Sequence, residues 1–193
     1  MKRILKLIIC AAFVISLAGC GEKEPECEHK NTVTKYETSG LSIRKITTCK
    51  DCEKEIDKKT FDKLQYVYNK VLVDEKGIKC TLLDAEVDGW STVTLHFEVE
   101  GTSKSKRNFS CTEMFLDGYD VTALMYCTDL AGNRKSLEDQ WLSDLKGEDF
   151  LEKQDRKLEM EIEIINPDNY KTLLKKEVSV NLSEYAEIKE IGD

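Results

Sequence analysis

Four side chains in the first third of the sequence have the types and spacing to share one metal ion. They are Cys27 and His29, from Cys27-Glu28-His29, and Cys49 and Cys52, from Cys49-Lys50-Asp51-Cys52. Thiolate sulfur and imidazole nitrogen are favoured zinc donors, and a two-residue spacer lets both sulfurs of a Cys-x-x-Cys turn reach one ion. Three sulfurs and one nitrogen fill a tetrahedron, so the chemistry expected is a closed, structural zinc site. The surrounding segment, 27–57, has Tyr36, Leu41, Ile43 and Ile46 as its main apolar side chains, too few for a core of its own. Metal binding would supply roughly 10 kcal/mol or more of folding energy. Two other readings of these residues stand open. Cys27 could form a disulfide with Cys49 or Cys52 in an oxidising exterior. Cys49 and Cys52 could be a redox pair, which needs a helix N-terminus to lower the thiol pKa.

Cys80, Cys111 and Cys127 are an odd set, so at least one is a free thiol or pairs between molecules. Cys111 lies six residues before Asp117 and Cys127 nine after Gly118, and a register-matched bridge across that turn needs nearly equal arms. Buried free thiols acting as small apolar side chains are the expectation, with a bridge between two of the three as the alternative. His96 shares a strand face with Thr94 and Glu98 and is expected to be solvated. Glu159, Glu161 and Glu163 repeat at period two and fit the wet face of a strand rather than a carboxylate cluster. Trp90 and Trp141 are expected to pack in a core or at a sheet end, with a ligand groove as the alternative. Lys104 to Arg107 is a basic loop on an acidic protein. The sequence has no Gly-x-Ser-x-Gly, phosphate-cradling glycine loop or His-Glu-x-x-His, and a total of two histidines leaves few options for a triad.

Positioning these residues falls mainly to strands. Val93, Leu95, Phe97 and Val99 alternate with Thr94, His96, Glu98 and Glu100, and Leu158 to Ile164 and Val178 to Leu182 repeat the pattern. Ile78–Val87, Asn108–Leu116 and Asp120–Tyr126 are further candidates, the last two joined by the hairpin signal Asp117-Gly118. Seven or eight short strands with no long helix between them predict a mainly β chain, an antiparallel sandwich of immunoglobulin-like type over 71–193. Residues 58–70, with Phe61, Leu64, Tyr66, Val67 and Tyr68, are compatible with a helical connector. Residues 135–157 fit a strand then a loop, or a short helix across one end of the sandwich.

Residues 1–19 have the form of a secretory leader, with Lys2, Arg3 and Lys6 before the apolar run Leu7 to Leu17. That run of about eleven residues is too short for a hydrocarbon core that needs about 20. It ends Leu17-Ala18-Gly19-Cys20, which resembles the bacterial lipobox at all four positions. The resemblance implies a diacylglyceryl group on Cys20 and cleavage just before it. Two acyl chains supply roughly 20 kcal/mol, far beyond one reversible chain. Residues 20–26 are then a lipidated tether. The implied place is the extracytoplasmic face of a cell membrane.

Two further resemblances concern the mature chain. Cys-x-His followed by Cys-x-x-Cys is similar to the short zinc-ribbon-like repeats of secreted Gram-positive proteins. Those usually carry Gly after the last Cys, where this chain has Glu53. Val71 to Leu182 resembles an immunoglobulin-like domain of Gram-positive lipoproteins, carried by Thr92 to Glu100, Leu116 to Val121 and Tyr126-Cys127. It implies a fold and a surface location but no activity. The chain has 37 acids and 29 bases; losing Lys2, Arg3 and Lys6 with the leader leaves 26 bases and a charge of −11, which repels nucleic acid. The function expected is non-enzymatic binding of a protein or envelope partner by a lipid-anchored surface protein with structural zinc. Zinc trafficking is the alternative, and thiol redox chemistry at the Cys-x-x-Cys the third reading.

Overall fold

The computed structural model describes residues 27–121, 125–142, 144–153, 155–183 and 187–192. The leader and Cys20, with the tether to Glu26, lie outside them. The chain opens with β1 (Thr32–Ser39), β2 (Ser42–Cys49), β3 (Glu55–Phe61), β4 (Lys63–Glu75), β5 (Ile78–Asp88) and β6 (Val93–Gly101). It continues with β7 (Arg107–Leu116), β8 (Tyr119–Asp120), β9 (Met125–Leu130) and β10 (Lys135–Leu142). A short helix α1 (Gly147–Glu152) precedes β11 (Lys157–Asn166), β12 (Lys171–Asn181) and β13 (Glu187–Ile191). The paired strands are antiparallel throughout. One sheet runs β1-β2-β3, a second β10-β6-β5-β4-β13, and a third β12-β11-β7-β8 with β9 also on β7.

The second and third sheets share one core. Leu95, Phe97 and Val99 of β6 are fully buried in the same cluster as Phe109 of β7 and Ile162 and Ile164 of β11. Each such side chain contributes about 1.5–3 kcal/mol on leaving water, which only a facing sheet can supply. Strand β5 keeps both ends in this core by changing phase. Ile78, Cys80 and Leu82 are buried at even positions, Ala85 and Val87 at odd ones, and the register slips between Leu82 and Asp84. One extra residue moves every later side chain to the other face, and the bulge uses that rule to stay apolar-inward.

The 58–70 stretch is strand, not a helical connector: β3 covers its beginning and β4 the rest. Phe61, Leu64 and Val67 follow helical spacing, but Leu64, Tyr66 and Tyr68 also alternate. Pairing of β4 with β5 and β13 on its two edges realises the second pattern. A bulge around Asn69, whose φ is 49°, shifts the register along β4. Residues 135–157 combine both predicted forms, β10 and then α1. The Asp117-Gly118 hairpin forms as expected, with φ of 54° and 84° at its two residues and Leu116 opposite Tyr119. Positive φ at both central positions is what a two-residue primed turn needs.

The first sheet is not a free-standing module. Ile43 of β2 is fully buried and belongs to the main core. The β1–β2 hairpin tip sits against Gly89, where a Cβ would fall 2.0 Å from the Leu41 carbonyl carbon. Thr38 and Ser91 both donate to the Glu148 carboxylate on α1, Ser91 at 2.9 Å. Tyr36 hydroxyl and Lys45 Nζ donate to Glu190 of β13 at 2.9 and 2.6 Å. Because Gly89 is closed in by backbone, Gly89→Ala is expected to destabilise the protein by about 1–3 kcal/mol, read as a lower urea midpoint at unchanged slope.

Candidate metal centre

Local backbone brings the four predicted ligands to one point. Thr32 lies opposite Cys49, so the chain just before β1 runs beside the end of β2. Lys50 N–H donates to the Asn31 carbonyl at 2.8 Å and fixes that approach. The 49–52 turn is closed by Cys49 N–H donating to the Lys54 carbonyl at 2.9 Å and Glu53 N–H to the Cys49 carbonyl at 2.8 Å. His29 and Glu53 take left-handed backbone, at φ of 51° and 58°. Glu53 thus stands in the conformation that glycine adopts most easily.

The ligand atoms of Cys27, His29, Cys49 and Cys52 all lie within 4.8 Å of one another. Cys27 Sγ is 3.5 Å from Cys49 Sγ, and Cys52 Sγ is 3.4 Å from His29 Nδ1. A zinc tetrahedron built on bonds of about 2.3 Å to sulfur and 2.0–2.1 Å to nitrogen has S–S edges near 3.8 Å and S–N edges near 3.6 Å. The four residues therefore lie close enough to bind a metal ion, and their spacing and donor set are compatible with zinc. Cys49 is buried and the other three partly so.

The cluster is electrostatically uneven. The His29 side chain hydrogen bond pulls the Cys49 thiol down to about 6 against its burial, helped by the backbone N–H groups of Cys52 and Asp51. At Cys27 the His29 backbone pulls the same way, but the Cys49 hydrogen bond, burial and Cys52 hold it above its ordinary value. Cys49 thus favours the thiolate while Cys27 favours the thiol, and a dication held by the four residues would displace the remaining proton.

The six described cysteines are all free. The Cys49–Cys52 turn joins strand β2 to strand β3, so the helix N-terminus that activates a redox pair is absent from it. Cys80, Cys111 and Cys127 are buried thiols, as expected. Desolvation raises Cys80 furthest and pushes Cys111 and Cys127 up to about 12. The register explains the missing bridge: Cys111 faces Met125, and Cys127 faces Phe109.

Other expectations fare differently. Trp90 and Trp141 are 74% and 61% exposed, so neither packs in a core or at a sheet end. Trp90 rides on the turn in which Asp88 Oδ1 accepts the Trp90 and Thr92 N–H groups, and Trp141 projects from the outer face of edge strand β10. Glu159, Glu161 and Glu163 lie on the outward face of β11, with Glu161 paired to Lys175 at 2.8 Å. His96 is not simply solvated: Nδ1 lies 2.5 Å from Asp84 Oδ1 and Nε2 3.8 Å from Asp139. Sequence reasoning missed Arg156, which is buried and donates to Asp117 Oδ2 at 2.8 Å. Burial pushes Asp117 up, but the Lys157 N–H, Lys153 and Arg156 outweigh it and hold the carboxyl below its ordinary range.

Comparison with known proteins finds no matching family model, no matching curated protein and no matching solved structure. The resemblances at Cys20, at the Cys/His cluster and along 71–182 rest on those residues themselves.

Glu53→Val, a β-branched residue in left-handed backbone, is expected to bind zinc about 5- to 30-fold more weakly than Glu53→Gly, corresponding to about 1–2 kcal/mol; competition with a chromogenic chelator reads the ratio. A second prediction concerns pH. The Asp84 hydrogen bond raises His96 above its ordinary value of 6.5 against partial burial. The stabilisation is complete below that value and is lost as pH rises through the elevated folded pKa. Urea unfolding from pH 6 to 9 should show this decline in the wild type, and Asp84→Asn should flatten it.

Proposed function

We propose that this chain is a lipid-anchored, extracytoplasmic binding protein of non-enzymatic type. In it a structural zinc ion clamps the junction between a short tether and an immunoglobulin-like β-sandwich. The observation that carries this reading is the Cys/His cluster, four ligand atoms within 4.8 Å of one another and starting at the first residue after the proposed tether. Seven tether residues reach at most about 25 Å. A pull from the membrane would enter the body at Cys27 and, without a cross-link, would peel β1 from β2. A metal joining Cys27 and His29 to Cys49 and Cys52 would pass the load into β2, which is pinned at its other end by Ile43 in the core.

Zinc trafficking is the second reading, favoured by one feature: Cys27, His29 and Cys52 are only partly buried, so a competing ligand can approach. Redox chemistry at Cys49 and Cys52 is left without the helical context that would support it.

One experiment separates these. Cells expressing the full chain or Cys20→Ser are fractionated, and zinc per chain and its release to a chelator are measured on the purified protein. Membrane retention abolished by Cys20→Ser, about one zinc per chain and slow release fit the proposal. Retention of Cys20→Ser at the membrane would defeat the anchor, absence of bound zinc would defeat the clamp, and rapid reversible exchange with the fold intact would favour trafficking.

A further inference from the structure

Strand β10 ends the second sheet and has a partner, β6, on one side alone. Gly101 N–H donates to the Arg134 carbonyl at 2.9 Å, and from there the two strands pair without a slip, from Lys135 opposite Glu100 to Leu142 opposite Val93. Antiparallel pairs alternate between bonded and non-bonded, so Ser136, Glu138, Gln140 and Leu142 direct their backbone groups to β6. Lys135, Leu137, Asp139 and Trp141 turn N–H and C=O to the open side, where no other backbone meets them among the described residues.

Such an edge is a template for another strand, and lysines ordinarily guard it. The outer strands β3 and β12 follow that rule, with Lys58 and Lys59 on one and Lys171, Lys175 and Lys176 on the other. Strand β10 does not. Leu137 and Trp141 are exposed on its outward face, and its single lysine, Lys135 at the first residue, is paired with Glu98 at 2.8 Å. Its other charges are two consecutive acids on opposite faces. Asp139 is exposed on the outer one, with His96 Nε2 at 3.8 Å; Glu138 turns inward, where Ser136 Oγ and Cys127 Sγ donate to it at 2.6 and 3.4 Å. Neither acid has a lysine or arginine partner among the described residues.

We infer that the open edge of β10 takes up an extended segment of a partner protein that carries two consecutive basic residues. This rests on the reading of the chain as a binding protein and gives the partner its chemistry. Neighbouring residues of an added strand project to opposite faces, so a dibasic pair sets one cation against Asp139 and the other against Glu138. Further along the outer face, Leu137 and Trp141 offer apolar contact, and the indole can also receive a basic side chain on its ring. Main-chain bonds supply the affinity and the side-chain match supplies the selectivity. Residues 20–26 of the chain itself do not fit, having three glutamates and one lysine. A second copy fits poorly, since each would bring Glu138 and Asp139, with Glu98 and Glu100 of β6, against a single Lys135.

The test is calorimetric titration of the purified full chain in detergent at about 0.15 M ionic strength, where the Debye length is about 8 Å and diffuse attraction is largely screened. Zinc content is recorded on the same sample. The probes are capped octapeptides of alternating Thr and Val that differ only in their central pair, Lys-Lys, Gln-Gln or Glu-Glu, with maltohexaose as the comparison for a sugar stacking on Trp141. The Lys-Lys peptide is expected to bind saturably, about tenfold or more tighter than the Gln-Gln peptide, and about fivefold or more weaker to Asp139→Lys. Glu159→Lys, the same charge change on the third sheet, should leave it within about twofold. Amide hydrogen exchange at Leu137, Asp139 and Trp141, fast in the free protein, should slow about tenfold or more in the complex. Failure of the folded, zinc-loaded protein to bind the Lys-Lys peptide would overturn the inference. So would equal binding of the Gln-Gln or Glu-Glu peptide or of maltohexaose, indifference to Asp139→Lys, or binding that leaves those amides unprotected. Protection of the same amides in the free protein, as self-association through β10 would give, would also overturn it. None of these outcomes touches the anchor or the clamp, whose failures are read at Cys20→Ser and in the zinc content.

Discussion

Val93, Leu95, Phe97 and Val99 make one face of β6 wholly apolar, and an antiparallel sheet with such a face must be covered. The β11-β7 sheet covers it. Most of the remaining construction follows from keeping that contact unbroken: the slip in β5 restores its apolar phase, and α1 closes the region beside β4 with Phe150. The Arg156–Asp117 pair then holds the hairpin turn, the start of β11 and the first turn of α1 together, since Arg156 also donates to the Asp149 carbonyl.

The first sheet solves a different problem. Its strands are short and rich in Thr, Lys and Glu, and β3 is exposed at six of its seven residues. It buries almost nothing alone. Ile43 and the hairpin tip on Gly89 attach it to the body at one end, and the Cys/His cluster, drawn wholly from this segment, lies at the other. Between them Tyr36 and Lys45, facing pairs in the hairpin register, reach across to Glu190.

Much of this was legible before any coordinates. Strict alternation identified β6 and β11 because each has one wet and one dry face, and Asp117-Gly118 identified its hairpin because few dipeptides accept two positive φ angles. The Cys/His cluster was legible because Cys and His at tight spacing point to one shared ion, and the fold brings those four side chains within 4.8 Å of one another. What escaped was whatever depends on a neighbour. Phe61, Leu64 and Val67 carry a helical spacing that pairing with β5 and β13 overrides. Trp90 and Trp141 are expected from sequence to pack in a core or at a sheet end, while their turn and edge positions leave them in solvent. His96 was placed outward by parity, which is right for the face and blind to Asp84 across the ladder. The open edge of β10 is set by the order of strands in its sheet, which no window of sequence contains.

The three core thiols bear on how such a chain tolerates its surroundings. Oxidants and alkylating agents attack the anionic form of sulfur, and Cys80, Cys111 and Cys127 are held neutral by the apolar residues around them. Once folded, the molecule can sit among peroxides or foreign disulfides with those atoms chemically silent. Exposure of those sulfurs is then confined to the interval before the sheets close, and closure of the core, whatever the milieu, is what ends it.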